Sequence, residues 1–282
     1  MNFSVVLPAK NEAATVAVVV KAIRARYPRS EVIVVNDGSD DDSQTLAEAA
    51  GAKVVNHPYS KGNGASIKSG ARAASGDVIV FMDADGQHNP DDIEALLAGI
   101  DEGYDLVVGA RQPGSQASVG RGVANGFYNK LASYMTGHKV EDLTSGFRAV
   151  RASKFKEFLY LLPNGFSYPT TSTMAFFRAG YSVKYVPIHA AQREGKSHIK
   201  PLKDGMRFLL IIFKIGTLYS PLKLFTPAAA LFFVLGLGWY GYTFTMMNRF
   251  TNMSALLFTG SVVIFMMGLI SEQITALMYK KE

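Results

Sequence analysis

The chain has 282 residues, 48% of them hydrophobic and 18% charged, with a formal net charge of +6 and no cysteine. The missing cysteines exclude a disulfide framework and a thiolate metal site, and the length suits one large domain plus an appendage. Much of the basic excess lies at Arg193, Lys196, Lys200, Lys203, Arg207, Lys214 and Lys223, beside a long apolar run and without a nucleic-acid-binding motif, which points to anionic headgroups and away from nucleic acid.

The first element, FSVVLP at 3–8, is a short apolar run ending at a proline. It reads as a strand rather than the apolar core of a secretion signal. A helix is expected from about 12 to 27, a buried strand at 31–37 (EVIVVND), a helix at 43–51 and a strand at 53–56. A third helix over 65–74 leads to a strand at 77–85 (DVIVFMDAD). Asn89 then caps a helix with Pro90 in its first turn, and DLVVGA at 105–110 is the fifth strand. Strands alternating with helices imply βαβ units and a mainly parallel sheet, with ligands at the carboxyl ends of the strands. Beyond this lie a polar loop at 112–120, a helix at 121–136, strands at 144–151 and 182–187, and a helix near 168–179.

The C-terminal third changes character. Residues 200–222 form an amphipathic segment suited to a membrane interface, with Leu202, Met206, Leu209, Leu210 and Phe213 on one face. Two uncharged runs follow, giving transmembrane helices at about 224–247 and 253–278. Lysines precede the first and follow the second, so both termini and the catalytic part are expected on the cytoplasmic side. The expected organisation is a domain over 1–199, an interfacial segment over 200–222 and a hairpin over 223–282.

The residues just past the strands are polar: Asn11 and Glu12, then Asp37, Ser39 and Asp40, then Asp83, Asp85 and Gln87, then Arg111. In FMDADGQH (81–88) two carboxylates two residues apart follow a buried strand. They can both reach one hard cation, Mg²⁺ or Mn²⁺, that also binds phosphate oxygens. Asp37 in VVNDGSDD (34–41) is placed to accept from a base or ribose, with helix capping as its simpler role. The GNG at 62–64 does not follow the first strand and lacks a third glycine, so a dinucleotide site is not expected.

PAKNE (8–12), VVNDGSDD, GNGASIKSGARAASGDVIVFMDADGQH (62–88) and SGFRAVR (145–151) together resemble family 2 glycosyltransferases, and more closely their dolichyl-phosphate mannose synthase and polyprenyl-phosphate glycosyltransferase branch. The resemblance covers about residues 2–200 and, for some members, the two-span tail. It implies a GT-A fold, a nucleotide-sugar donor, inversion at the anomeric carbon and a polyprenyl phosphate acceptor. Glu12 and Asp37 would hold the nucleoside, with Pro8, Ala9, Asn11, Ser39, Lys61 and Ala84 around the donor. Asp83, Asp85 and Gln87 would surround the metal and the diphosphate. Arg111, Arg121 and Asn125 would hold the acceptor phosphate. Arg193, Lys196, Ser197 and His198 match a loop that closes over the donor, although His198 stands where lysine is common. Asp85, Arg111 and Asp142 are assigned to the chemical step.

The choice of acceptor governs Asp142. A hydroxyl acceptor requires a general base, and Asp142 in VEDLTSGF (140–147) is the residue placed for it. A phosphate monoester is already an anion and needs cations instead; Asp142 would then orient the acceptor or an arginine. Processive polysaccharide synthases carry a Q-x-x-R-W motif, but Trp239, the sole tryptophan, falls inside an apolar run. A non-catalytic nucleotide-binding scaffold is disfavoured by the intact acidic motif. The sequence leaves open the sugar, GDP against UDP, and whether the chain forms a homo-oligomer.

Overall fold

The computed structural model describes residues 1–111, 119–165, 167–188, 213 and 216–279, with the backbone alone at 119–125. It divides into two compact units, Met1–Ser197 and His198–Glu282. The first unit is built on a seven-stranded sheet among the described residues, in the order β3-β2-β1-β4-β6-β5-β7. These strands are β1 (Phe3–Ala9), β2 (Glu31–Asn36), β3 (Lys53–Asn56), β4 (Val78–Phe81), β5 (Leu106–Arg111), β6 (Arg148–Arg151) and β7 (Val183–Ile188). The helices of this unit are α1 (Val16–Arg26), α2 (Ser43–Ala49), α3 (Asn63–Ala73), α4 (Ile93–Asp101), α5 (Val119–Thr136), α6 (Ala152–Lys156) and α7 (Tyr168–Arg178).

The central strands are unbroken apolar runs because helices cover both faces of the sheet. Val5, Val6, Leu7, Ile33, Val34, Val35, Ile79, Val80 and Phe81 are fully buried, each contributing about 1.5–3 kcal/mol relative to exposure. Parallel pairs β1–β2, β2–β3, β1–β4 and β5–β7 carry out the expected βαβ pattern. Strand β6 departs from it, lying antiparallel between β4 and β5 with Arg148 opposite both Phe81 and Val108. Its reversed direction brings the segment before it, 142–147, to the edge where β4 and β5 end. Arg148 is fully buried and is held by the carbonyls of Ser145 and Pro169 and the hydroxyls of Ser172 and Thr173.

The second unit contains α8 (Pro221–Met247) and α9 (Asn252–Met278). Each has 27 residues, about 40 Å of helix, and both are long and apolar enough to cross a membrane. Small residues recur every seventh position on the facing sides: Ala229, Gly236 and Thr243 on α8, and Ser254, Ser261, Gly268 and Thr275 on α9, all buried. This spacing lets the backbones approach closely in an antiparallel hairpin. Ser261 Oγ donates to the Ala229 carbonyl at 2.8 Å, while Leu231, Val234, Leu256 and Val262 face outward. Most of the 200–222 segment, expected to be amphipathic, lies outside the described residues.

Candidate active site

The carboxyl ends of β1, β2 and β4 open onto a cleft of about 510 Å³. It is lined by Pro8 and Ala9 at the end of β1, Glu12 after it, Asp37 after β2, and Asp83, Ala84 and Asp85 after β4. Seven of the expected donor-site residues therefore share one cavity. Lys10, Ser60, Gly62, Asn63, Ser66 and Gly165 complete the lining. These were not singled out from the sequence as site residues, although Lys10 sits inside PAKNE, and Gly62 and Asn63 inside the GNG run. Chain connectivity alone does not show that the start of α3 faces the acidic strand ends.

The loops of the cleft are tied to each other. Asn11, in left-handed backbone (φ 56°), donates its amide to Ser39 Oγ and accepts the Asp40 amide on its side-chain oxygen. Both Asn11 and Ser39 thus join the β1 and β2 loops and are absent from the cleft lining. Thr15 Oγ1 donates to the Ala84 carbonyl at 2.8 Å, linking the entry to α1 with the acidic motif. Gly38 has φ +64°, and a Cβ there would meet the Ser60 amide at 2.8 Å. Gly64 packs α3 onto the 163–165 backbone, where a Cβ would lie 2.0 Å from the Pro163 carbonyl oxygen. Lys61 gives its backbone amide to Asp37, while its ammonium sits 5.7 Å over the Tyr59 ring.

At the acidic wall, Asp85 Oδ1 accepts the Gln87 amide in a tight turn, and Asp83 keeps 39% of its side chain exposed. The Gln87 side chain is not part of the cleft lining. His88, stacked on Phe147 at 4.9 Å, has Nε2 3.9 Å from Asp83 Oδ2 and a buried Nδ1 with no hydrogen-bond partner. Burial pushes the His88 imidazole below its ordinary pKa. The described residues hold no cluster of three His, Cys, Asp or Glu around one point. Two carboxylates opening onto a cleft suit an oxygen-seeking cation that keeps water and phosphate oxygens as its other ligands.

Arg111 and Asp142 are not part of the cleft lining and form a clamp with each other. Arg111, ending β5, donates Nε to Asp142 Oδ2 at 2.8 Å and Nη2 to Asp142 Oδ1 at 2.9 Å. Nη2 also reaches Thr144 Oγ1 at 2.6 Å. Asp142, 5% exposed, accepts in addition the amides of Arg111, Thr144 and Ser145 and the Thr144 hydroxyl. Burial alone would raise the Asp142 pKa, but the hydrogen bonds and charge of Arg111 hold it below the ordinary carboxylate value. Its partner's pKa is raised, chiefly by the hydrogen bonds to Asp142. Arg121 and Asn125 fall in the first turns of α5, with side chains outside the described residues, and Arg193, Lys196, Ser197 and His198 lie wholly outside them.

Comparison with known proteins adds a lineage to this geometry. Residues 4–159 match the family described as glycosyl transferase family 2, and residues 220–277 match the GtrB C-terminal hairpin. The glycosyltransferase AglJ of Haloferax volcanii is 27% identical over 289 aligned residues, covering 97% of this chain and 93% of the relative. The polyprenol monophosphomannose synthase of Mycolicibacterium smegmatis is 30% identical over 207, covering 67% of this chain and 77% of the relative. Among solved structures, glucosyl-3-phosphoglycerate synthase from Mycobacterium tuberculosis in complex with Mn²⁺ and UDP-glucose superposes with a TM-score of 0.59 at 25% identity, covering 76% and 78% of the two chains. The sheet order, the acidic cleft at its edge and the matched segments converge: this chain is a GT-A glycosyltransferase belonging to glycosyltransferase family 2.

Proposed function

We propose that this enzyme transfers a hexose from a GDP- or UDP-sugar to a polyprenyl phosphate, with inversion, at the cytoplasmic face of a membrane. The observation that carries this reading is the clamp between Arg111 and Asp142. Asp142 is the residue placed to act as base, yet both its oxygens are occupied by Arg111, Thr144 and Ser145. What this clamp offers is a guanidinium, which suits an acceptor that arrives as a phosphate anion and has no proton to lose. Arg121 and Asn125 are proposed to add contacts to that phosphate. The names of the mycolicibacterial relative and of a dolichyl-phosphate hexose transferase of Haloferax volcanii, 29% identical over 217 residues, point the same way.

In the cleft, Glu12 and the loop anchored by Asp37 would receive the nucleoside, with Pro8, Ala9 and Ala84 in the lining. Asp83 and Asp85, with Gln87 beside them, would hold Mg²⁺ or Mn²⁺, which when bound neutralises charge on the departing nucleoside diphosphate. The segment containing Arg193, Lys196, Ser197 and His198 would cover the donor. Residues 1–199 form the catalytic part, 200–222 an interfacial segment and 223–282 the hairpin that keeps the site within reach of a lipid-borne phosphate. Lys223, Lys280 and Lys281 at the hairpin's ends favour a cytoplasmic location for both.

The test is a donor and acceptor panel with the full chain in lipid nanodiscs. UDP- and GDP-hexoses are offered with a polyprenyl phosphate, with the matching polyprenol, or with neither. Glycosyl-phospho-polyprenol forming only from the phosphate is the expected result. Equal transfer to the free alcohol would replace this reading with a hydroxyl-acceptor enzyme that uses Asp142 as base.

A further inference from the structure

Asp37 directly follows β2 and is almost fully buried. Its Oδ1 takes His57 Nδ1 at 2.7 Å and the Lys61 amide at 2.8 Å, and its Oδ2 takes Ser60 Oγ at 2.8 Å and the Gly62 amide at 2.9 Å. A carboxylate offers about four acceptor positions, so these contacts occupy Asp37 within the chain. Burial would raise its pKa, but the hydrogen bonds from His57, Lys61, Gly62 and Ser60 lower it to about 2. Asp37 lines the cleft and at the same time anchors the 60–62 loop beside it.

His57 follows β3, where its amide donates to the Asn36 carbonyl at 2.9 Å, and its side chain is 4% exposed. An ionised carboxylate on Nδ1 requires the proton on that nitrogen, and Nε2 shares a hydrogen bond with Ser69 Oγ of α3 at 2.8 Å. The chain Ser69, His57, Asp37 thus connects α3, β3 and β2 to residues 60–62. Ser60, Gly62 and Asn63 are a wall of the cleft, and Asn63 Oδ1 is buried there with no hydrogen-bond partner.

We propose that His57 is a positioning residue for nucleoside diphosphate binding: by donating to Asp37 and hydrogen-bonding Ser69, it holds the 60–63 wall in the conformation that receives the nucleotide. The inference rests on the reading of this cleft as the donor site. His57 touches no reacting group, so its effect falls on donor affinity and KM and leaves kcat at saturating donor nearly unchanged.

The test is calorimetric titration of the full chain in detergent with UDP and with GDP in Mg²⁺, for wild type, His57→Ala, His57→Asn and His57→Gln, with melting curves for each. Asparagine places an amide N–H near Nδ1 and keeps the donation to Asp37; glutamine places its amide near Nε2 and loses it. His57→Ala and His57→Gln are expected to weaken the better nucleotide by about 10- to 100-fold, the loss of one hydrogen bond to a charged acceptor, while His57→Asn recovers most of the affinity. If His57→Ala does not fold, the Asn and Gln variants carry the comparison. Equal affinities in Asn and Gln, or wild-type affinity in all variants, overturns the inference alone. A wild-type chain that binds neither nucleotide overturns the donor-site reading and the inference with it.

Discussion

Replacing Asp142 with asparagine separates the two acceptor chemistries. The substitution keeps the shape of the side chain and removes its charge from a site where Arg111 contributes two side-chain hydrogen bonds and one from its amide. Arg111 retains 28% exposure, so water re-solvates part of the guanidinium and the loss falls short of that for a fully buried pair. A change of about 1.5–3 kcal/mol in stability follows for a charge-assisted contact. The effect on transfer is indirect, through a less fixed Arg111, and is expected to stay below about 100-fold. Loss of a true general base removes about 10²- to 10⁴-fold. The assay is steady-state transfer to a polyprenyl phosphate across pH 5 to 8, with folding followed by melting. In the phosphate reading the acid limb follows acceptor ionisation near pH ~6 and survives in Asp142→Asn. The pair's own stability contribution has the opposite weight on the pH scale. Because the Asp142 pKa is depressed from 3.8 in the folded chain, that contribution is present above 3.8 and is lost only as pH falls below it. A loss of 10³-fold or more in a folded variant with intact acceptor binding would refute the argument.

Asp83→Asn and Asp85→Asn should each abolish transfer while leaving the melting transition in place, and a chelator should do the same reversibly; full activity in chelator would remove the metal from the scheme. Gly64→Ala should destabilise the chain by about 1–3 kcal/mol and weaken nucleotide binding, since its Cβ would overlap the Pro163 carbonyl at 2.0 Å; thermal melting and titration check both. Glu31, whose pKa falls to about 2 because hydrogen bonds from Ser4, Ser75 and Lys53 outweigh its burial, stabilises the fold above its ordinary value of 4.5, and that stability drains as pH drops toward 2. Glu31→Gln should remove about 2 kcal/mol of this pH-dependent stability, followed by denaturant unfolding across the same pH range.

Local pattern was enough to read much of this protein. Apolar β-branched runs alternating with helices predict a mainly parallel sheet, because such strands are stable only when covered on both faces. The position of Asp83 and Asp85 directly after β4 was readable for the same reason, since strand ends collect ligands in this architecture. Two charge-free runs of spanning length announced α8 and α9. Tertiary structure decided what these side chains do for each other. The antiparallel insertion of β6 between β4 and β5 brings Asp142 to Arg111, 31 positions away in the chain. No periodicity encodes that pairing, because a single short strand reads the same in either direction. Likewise Asp37, expected to accept from a base or ribose, lines the cleft and also accepts from His57, Ser60, Lys61 and Gly62, 20 to 25 positions later. Hydrogen-bond saturation depends on which donors converge in space, and sequence order carries that information only after the sheet has brought β2, β3 and α3 together.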